Sequence, residues 1–425
     1  MTVQVSVAGV RAAGAPALAH APVALRATLV ATLALAPLEG YLQDVSGNLS
    51  KLAPALFLVV WAGHRLLGDR PVGVSHPVVW CCLGLLPLVL ASSAVNLDNG
   101  FTLLYLFRWL PFLLLVVALV DVLTYDVDPW VALHALIAGA TASAAGAVVS
   151  FAFLGSPRAS GPLEDPNDLA YVITAAVPIV LLAVRRAQRR RAVLAWGLVL
   201  ALLVVGAAAT LSRGGALATT AVLVWALWRG LVPLRFLAAS GALLLVVAAP
   251  LLVLARDVIE QAVGEKQYIA ATNVDTRLLR WQAAARMLGE NPLLGVGPGG
   301  FRSGYVEYSG FAELAELTPV AHEMYLEVGA ELGALALTLF LGAIVAAVVG
   351  TEAAIRRRRR VTTAPRDPAT LAAYAVQGSL LAVCVSSVFL SQQYYMPLWA
   401  GLAIAAAVDC RSRKENPHAR PALHR

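Results

Sequence analysis

The stretch Ala321-His322-Glu323-Met324-Tyr325-Leu326-Glu327-Val328-Gly329-Ala330-Glu331-Leu332-Gly333 runs without interruption into an apolar segment that ends near Gly350. Before it lies a polar, aromatic and charged region reaching back to about Arg256. A charged loop that feeds straight into a long apolar run is the pattern of a chain leaving water for a bilayer. Crossing a hydrocarbon core of roughly 30 Å takes about 20 apolar residues as a helix. By that ruler there are twelve candidate spans, at about 20–39, 48–66, 76–95, 101–122, 130–153, 168–184, 192–211, 213–229, 234–255, 322–350, 370–390 and 394–409. Leu, Val and Ala dominate them without period-2 alternation, which favours helices over an outer-membrane barrel. The expected fold class is all-α: a polytopic membrane protein of about twelve transmembrane helices, with one long loop between helices nine and ten.

Composition points the same way. Hydrophobic residues make up 59% of the chain and charged ones 13%, with a mean hydropathy of +0.75; soluble domains carry roughly 25% charge. The net charge of +7 is placed as a topology signal. Arg185, Arg186, Arg189, Arg190 and Arg191 form one cluster and Arg356 to Arg360 another, while Arg65, Arg70, Arg411, Arg413 and Lys414 flank other spans. All fall on one side if the spans alternate from a cytoplasmic N-terminus, as the positive-inside rule requires. Both termini are then cytoplasmic in the plasma or inner membrane, and Gly155–Asp168 and the loop 256–321 face outward. No nucleic-acid partner is expected.

Ala34-Leu35-Ala36 resembles a signal-peptide cleavage site, but Pro37 directly after it blocks cleavage, so the first span is read as an uncleaved helix. The whole chain, 1–425, is expected to form one integral membrane domain, with 411–425 as a cytoplasmic tail. The four cysteines lie in helices or at an inner end, which disfavours disulfides and cysteine-bound zinc.

The long loop holds two helix-like pieces, about Thr276–Glu290 and Gly310–Leu317, on either side of the turn Asn291–Phe301. Gly295-Val296-Gly297-Pro298-Gly299-Gly300 fits G-x-G-x-x-G, yet it follows a helix-like segment rather than a strand, so the dinucleotide reading fails. A turn fits better, because glycines permit positive φ and prolines fix the chain.

Several basic residues stand out. Leu211-Ser212-Arg213-Gly214-Gly215 joins two spans with almost no loop and sets Arg213 on the outer side, against the charge bias. It is either a snorkelling arginine or a guanidinium whose planar fork suits phosphate oxygens. Arg108 lies about two turns inside the fourth span, where function and a structural hydrogen bond are both open. Arg277 and Arg280 stand at i and i+3 on one helix face. His322 could accept a proton from a hydroxyl as neutral imidazole. Tyr325, Leu326, Gly329 and Gly333 share roughly its face, the two glycines as a small-xxx-small pair for close packing, and Glu323 and Glu327 share an adjacent one. A single histidine with its glutamates turned away is no ligand set, so neither metal nor cofactor is expected.

These pieces together resemble the O-antigen ligase family, which includes O-antigen polymerase-like proteins. The resemblance rests on Glu164-Asp165-Pro166-Asn167-Asp168 with the following span to Pro178, on Leu211-Ser212-Arg213-Gly214, on Arg277 through Trp281 to Asn291-Pro292-Leu293-Leu294-Gly295-Val296-Gly297, and on His322 with Leu326, Glu327 and Gly333. The ligase-like region spans 156–350. The family commonly has Asn after its histidine, where this chain has Glu323, a departure that bears on acceptor binding. The resemblance implies a metal-independent, inverting glycosyltransferase of the GT-C-like membrane class. Its donor is a glycan on a polyprenyl diphosphate, and its acceptor a glycan, lipid or protein among membrane lipids. Arg213, Arg277, Arg280 and Arg108 would hold the diphosphate, His322 would act as catalytic base, and Glu323, Glu327 and Tyr325 would support it. The alternative is a permease for an anion or lipid-linked intermediate, but the paired broken helices of transporters are not seen.

Overall fold

The computed structural model describes residues 22–234, 276–314 and 319–415, apart from 69–71, 74, 154–155, 157, 160 and 164. All but the first residue of the expected ninth span, loop residues 256–275, Arg70, Glu164 and residues 416–425 of the expected tail lie outside the described residues. Among the described residues there are helices and no strands.

The helices run in chain order. Helix α1 (Val23–Leu35) passes through a short 3-10 turn into α2 (Glu39–Val45). Then come α3 (Leu49–Leu66), α4 (Pro77–Val95), α5 (Thr102–Tyr125), α6 (Pro129–Phe153), α7 (Pro166–Arg186), α8 (Arg190–Ala209) and α9 (Arg213–Trp228). Past the long loop's first part lie α10 (276–290), α11 (Gly300–Tyr308), α12 (Met324–Val361), α13 (Pro368–Ser386) and α14 (Met396–Glu415). Each remaining expected span coincides with a helix. Among the described residues eight segments are long and apolar enough to cross a membrane, against the eleven expected spans that fall there. Helix α9 has only 16 residues, and α3 and α14 carry charged residues in their end turns.

Starts are set by local chemistry. Pro77, Pro166 and Pro368 open their helices, where a missing N–H costs nothing. The side chains of His76, Asp165 and Asp367 cap those helices from the residue before. Burial then sorts the array. The most apolar window of α7 is 83% buried and that of α8 only 17%, so α7 is the central helix and α8 faces the surroundings. Beneath the site, Trp109, Phe340, Tyr394 and Trp399 form an aromatic cluster with centroids 5.6–6.2 Å apart.

The two ends of the array differ in charge chemistry. At one, Arg65 pairs with Asp121 and Asp126, Arg229 with Glu352, Arg357 with Asp409, and Arg358 with Asp367 at 2.8 Å. Arg411 donates to the Leu123 and Val127 carbonyls. At the other end, Gly40 N–H bonds to Pro162, Arg158 to the Thr210 carbonyl, Asn99 to the Val296 carbonyl, and Met324 N–H to Ser387. There the loop after α4 meets the long loop, the loop after α6 meets α2 and the end of α8, and the loop after α13 meets the start of α12.

Two details of the long loop differ from expectation. Gly333 does not act in a helix–helix glycine pair: it takes φ +83° and ψ 174° inside α12 and breaks the helix. The opened backbone docks the glycine-rich turn, with Ala334 N–H donating to Pro292, Val296 N–H to Ala330 and Gly297 N–H to Glu331 at 2.8–3.0 Å. That turn has positive φ at Gly295, Gly297 and Gly299. The second difference is that residues 310–314 are not helical, residues 315–317 lying outside the described ones, and the described loop helix that follows α10 is Gly300–Tyr308. Gly310 at φ +69° ends it in a Schellman motif, Phe311 N–H bonding to Val306 and Gly310 N–H to Glu307, which only a residue at ease in the left-handed region favours.

Candidate active site

Helix α10 places the two loop arginines. Its apolar face, Ala283, Ala284 and Met287, packs with Phe301, Tyr305, Ala321 and Ala330 into a small second core. Leu288 lies over Gly329 of α12, where a Cβ would sit 3.3 Å from it. This leaves Arg277 half-buried and Arg280 6% exposed. Arg280 pairs with Glu313 at 3.2 Å, donates to the Val320 carbonyl and lies over the Tyr305 ring. Tyr305 in turn donates to Glu313. Burial and the Glu313 carboxylate push the Tyr305 phenol up to about 12. Burial opposes the charge on Glu313, but the bonds from Tyr305 and Arg280 hold it below the ordinary carboxylate value.

His322 sits two residues before α12 with φ +52°, a left-handed conformation uncommon outside glycine. Both of its neighbours are tied down. The Ala321 N–H donates to Glu327 at 2.9 Å. Glu323 is the N-cap of α12 and accepts from Leu326 N–H at 2.5 Å. Burial lowers the His322 pKa to about 4, with Arg277 and Arg280 adding to the shift and Glu327 and Asp165 opposing it. The imidazole is therefore neutral near pH 7. Burial, Arg280 and Arg213 also lower the Arg277 pKa against the pull of Asp165. Three separate segments thus bring Arg213, Arg277, Arg280 and His322 into one electrostatic neighbourhood, with Asp165 acting on Arg277 and His322.

Arg213 is the first residue of α9 and exposed; Ser212 before it accepts from Gly215 N–H as the cap. Arg158 joins the same rim through Asn167 Oδ1 at 3.1 Å and the Thr210 carbonyl at 3.2 Å. Burial lowers its pKa while Asp165 opposes the shift.

Arg108 stands elsewhere, over the rings of Tyr105 at 4.7 Å and Tyr394 at 5.9 Å. Arg302 also lies over Tyr105, at 4.7 Å, and meets Glu327 at 3.6 Å. Burial acts against the Arg302 charge, but Glu327 and its neighbours hold the pKa above the ordinary guanidinium value. The fully buried Glu327 further accepts from Gln393 at 2.8 Å and from Ser391. Tyr394 donates to Glu331 at 3.3 Å, and Gln392 and Tyr395 donate to Asp168. Among the described residues the buried Oε1 atoms of Glu331, Gln392 and Gln393 have no hydrogen-bond partner, which is rare for buried polar atoms. Tyr325 points away and donates to the Cys384 carbonyl at 2.9 Å.

Sequence reasoning missed Arg158, Arg302, Glu331 and the block Gln392–Tyr395. The block carried a signal: a polar, aromatic interruption between two apolar spans. Arg158 and Arg302 are single charges in loops and carried none.

A comparison with curated proteins gives no match. The family model described as O-antigen ligase matches residues 198–341. That segment includes Arg213, Arg277, Arg280, Arg302, His322, Glu327 and Glu331, all on the same end of the array. Such a match carries membrane glycan transfer of the ligase or polymerase kind. Over residues 198–341, about a third of its length, this helical chain is similar to the O-antigen ligase family.

Proposed function

We propose that the chain transfers a glycan from a polyprenyl-diphosphate donor to an acceptor hydroxyl at the extracytoplasmic surface, with inversion and without a metal. The observation that carries this reading is the gathering of Arg277 and Arg280 beside a neutral, half-buried His322, with Arg213 beside Arg277. Arg213 and Arg277 have no carboxylate ion pair among the described residues and offer planar forks to diphosphate oxygens. Arg280, held by Glu313, contributes fixed positive charge beside them. Preorganised cations aimed at a leaving group stabilise the charge that develops as it departs.

The acceptor oxygen attacks the anomeric carbon in line. The bond from that carbon to the diphosphate oxygen breaks, the diphosphate leaves with the electron pair, and His322 takes the hydroxyl proton. Donor binding matches the charge of Arg277 and Arg280 and so relieves the field that depresses the imidazole. Its basicity then rises when the reaction needs it. The buried network of Glu327, Glu331 and Gln393 positions the His322 segment and offers unsatisfied acceptors to sugar hydroxyls. The positive-inside rule places the arginine-paired end in the cytoplasm and the site outside.

The test is transfer by purified, correctly inserted protein supplied with lipid-linked glycan. His322→Ala and Arg213→Ala are expected to lose nearly all transfer. Wild-type rates in both variants would overturn the mechanism. Passage of the donor across liposomes without glycan transfer would reassign the chain to transport.

A further inference from the structure

At the arginine-paired end, far from His322, a cavity of about 330 Å³ opens between α6, α7, α8 and the start of α13. We propose that it binds a phosphate ester, carried either by an anionic lipid headgroup or by a soluble compound. Its volume lies at the low end of small-molecule sites, about 300–1,000 Å³. His134, Arg186, Gln188, Trp196 and Arg366 line it. Each presents a hydrogen-bond donor, and two are guanidiniums whose fork matches phosphate oxygens.

The walls are fixed. His134 stacks on Trp196 at 5.6 Å and 22°, and lies 5.5 Å from Trp130 on its other side. Trp130 carries the Arg186 guanidinium over its ring at 4.7 Å. The same Trp130 donates through Nε1 to the Pro368 carbonyl at 2.9 Å, which pins the start of α13 to α6.

Among the described residues, two cations in the lining of this cavity stand without an ion pair. Arg65, Arg229, Arg357 and Arg358 at this end each meet a carboxylate. Arg186 and Arg366 form no ion pair among the described residues. The nearby acids are engaged otherwise: Asp128 accepts from the Trp130 N–H at 2.8 Å, and Asp367 holds Arg358 and caps α13. Two uncompensated cations over an aromatic wall, level with the helix ends, suit a phosphate at headgroup depth. Basic pockets between transmembrane helices on the positive side are where anionic lipid headgroups bind.

The full chain is delipidated in detergent and titrated with phosphatidylglycerol, phosphatidylcholine or inorganic phosphate, with bound ligand read by native mass spectrometry. The expected result is selective retention of phosphatidylglycerol over phosphatidylcholine, with affinity falling at least tenfold in the Arg186→Gln/Arg366→Gln double variant. Arg366→Gln alone, on an exposed loop, is expected to lose several-fold and guards against a folding defect in the pair. Inorganic phosphate that binds with the same sensitivity to the variants, and displaces the lipid, assigns the site to a soluble phosphate compound. Equal retention of the two lipids with no phosphate binding, or unchanged affinity in the folded double variant, overturns the proposal.

Discussion

Gly333→Ala tests whether the loop is anchored through the break in α12. At φ +83° and ψ 174° an alanine sits in a backbone region that is essentially glycine's, at a cost of about 1–3 kcal/mol. Its Cβ would also lie 2.5 Å from the Leu293 carbonyl carbon and 2.9 Å from Leu294 N. Both are backbone atoms, so the turn has to move. Moving it strains the bonds from Ala334 N–H to Pro292 and from Val296 N–H to Ala330, worth about 1 kcal/mol each. The expected destabilisation is about 2–5 kcal/mol in all. Gly342→Ala is the matched control in the same helix, since its Cβ would meet only Cys81 Sγ at 3.4 Å. In ordinary helical backbone that change stabilises by about 0.5–1 kcal/mol. The two variants and wild type are unfolded in parallel in detergent. Gly333→Ala should unfold several degrees early, with transfer lost as α10 shifts, and Gly342→Ala should match or exceed wild type. If the two variants unfold together, the docked-turn account of Gly333 is wrong.

Other expectations follow from the charge network. Because the folded His322 pKa is about 4 and an unfolded histidine titrates near 6.5, the unfolded chain takes up the proton first. This group's contribution to stability is therefore lost as pH falls through that window. The acid limb of kcat/KM, which reports the free enzyme, should lie near pH 4 and move upward in Arg277→Gln; a limb near 6.5 that Arg277→Gln leaves in place would remove His322 from the mechanism. Glu327→Gln and Arg302→Gln should each destabilise, with a coupling of about 0.5–3 kcal/mol in a double-mutant cycle; strict additivity would mean that the 3.6 Å pair does not join the two segments. Tyr325→Phe loses one bond to the Cys384 carbonyl, about 1 kcal/mol of stability, and should leave the transfer rate alone; a large rate loss would return Tyr325 to the site.

The helices were legible because an apolar run of span length has few other ways to satisfy its backbone in a bilayer. Arg277, Arg280 and His322 were legible for a local reason: spacing on one helix, and position at a loop–membrane boundary. Arg302 and Gln393 were not, because their meaning is a shared contact with Glu327, 25 and 66 residues away in sequence. Gln392 reaches Asp168 across 224 residues, and no local pattern encodes such a pairing. Gly333 shows a subtler limit. Small-xxx-small spacing describes both a helix–helix contact and a docked turn, and only the Pro292 carbonyl with the Val296 and Gly297 amides decides between them. Arg108 is similar: depth in the span marked it as costly, yet depth does not say which group repays that cost, and Tyr105 and Tyr394 turn out to face it.

The placement of charges at the site end argues for an anion as the missing component. At the opposite end Arg65, Arg229, Arg356, Arg357, Arg358 and Arg413 each meet a carboxylate. Here, among the described residues, Arg158 and Arg277 share Asp165, Arg213 lies beside Arg277, and Arg158 spends its bonds on the neutral oxygens of Asn167 and Thr210. Acids are present nearby but are withheld: Glu327 is claimed by Arg302, Ser391, Gln393 and the Ala321 amide, and Asp168 by Gln392 and Tyr395. A fold selected for stability alone would let those carboxylates neutralise the arginines, since leaving like charges together in a half-buried place is unfavourable. Keeping them apart leaves a positive rim beside an uncharged imidazole. On the proposed reading, a diphosphate entering that rim would supply negative charge there and in doing so would raise the basicity of His322.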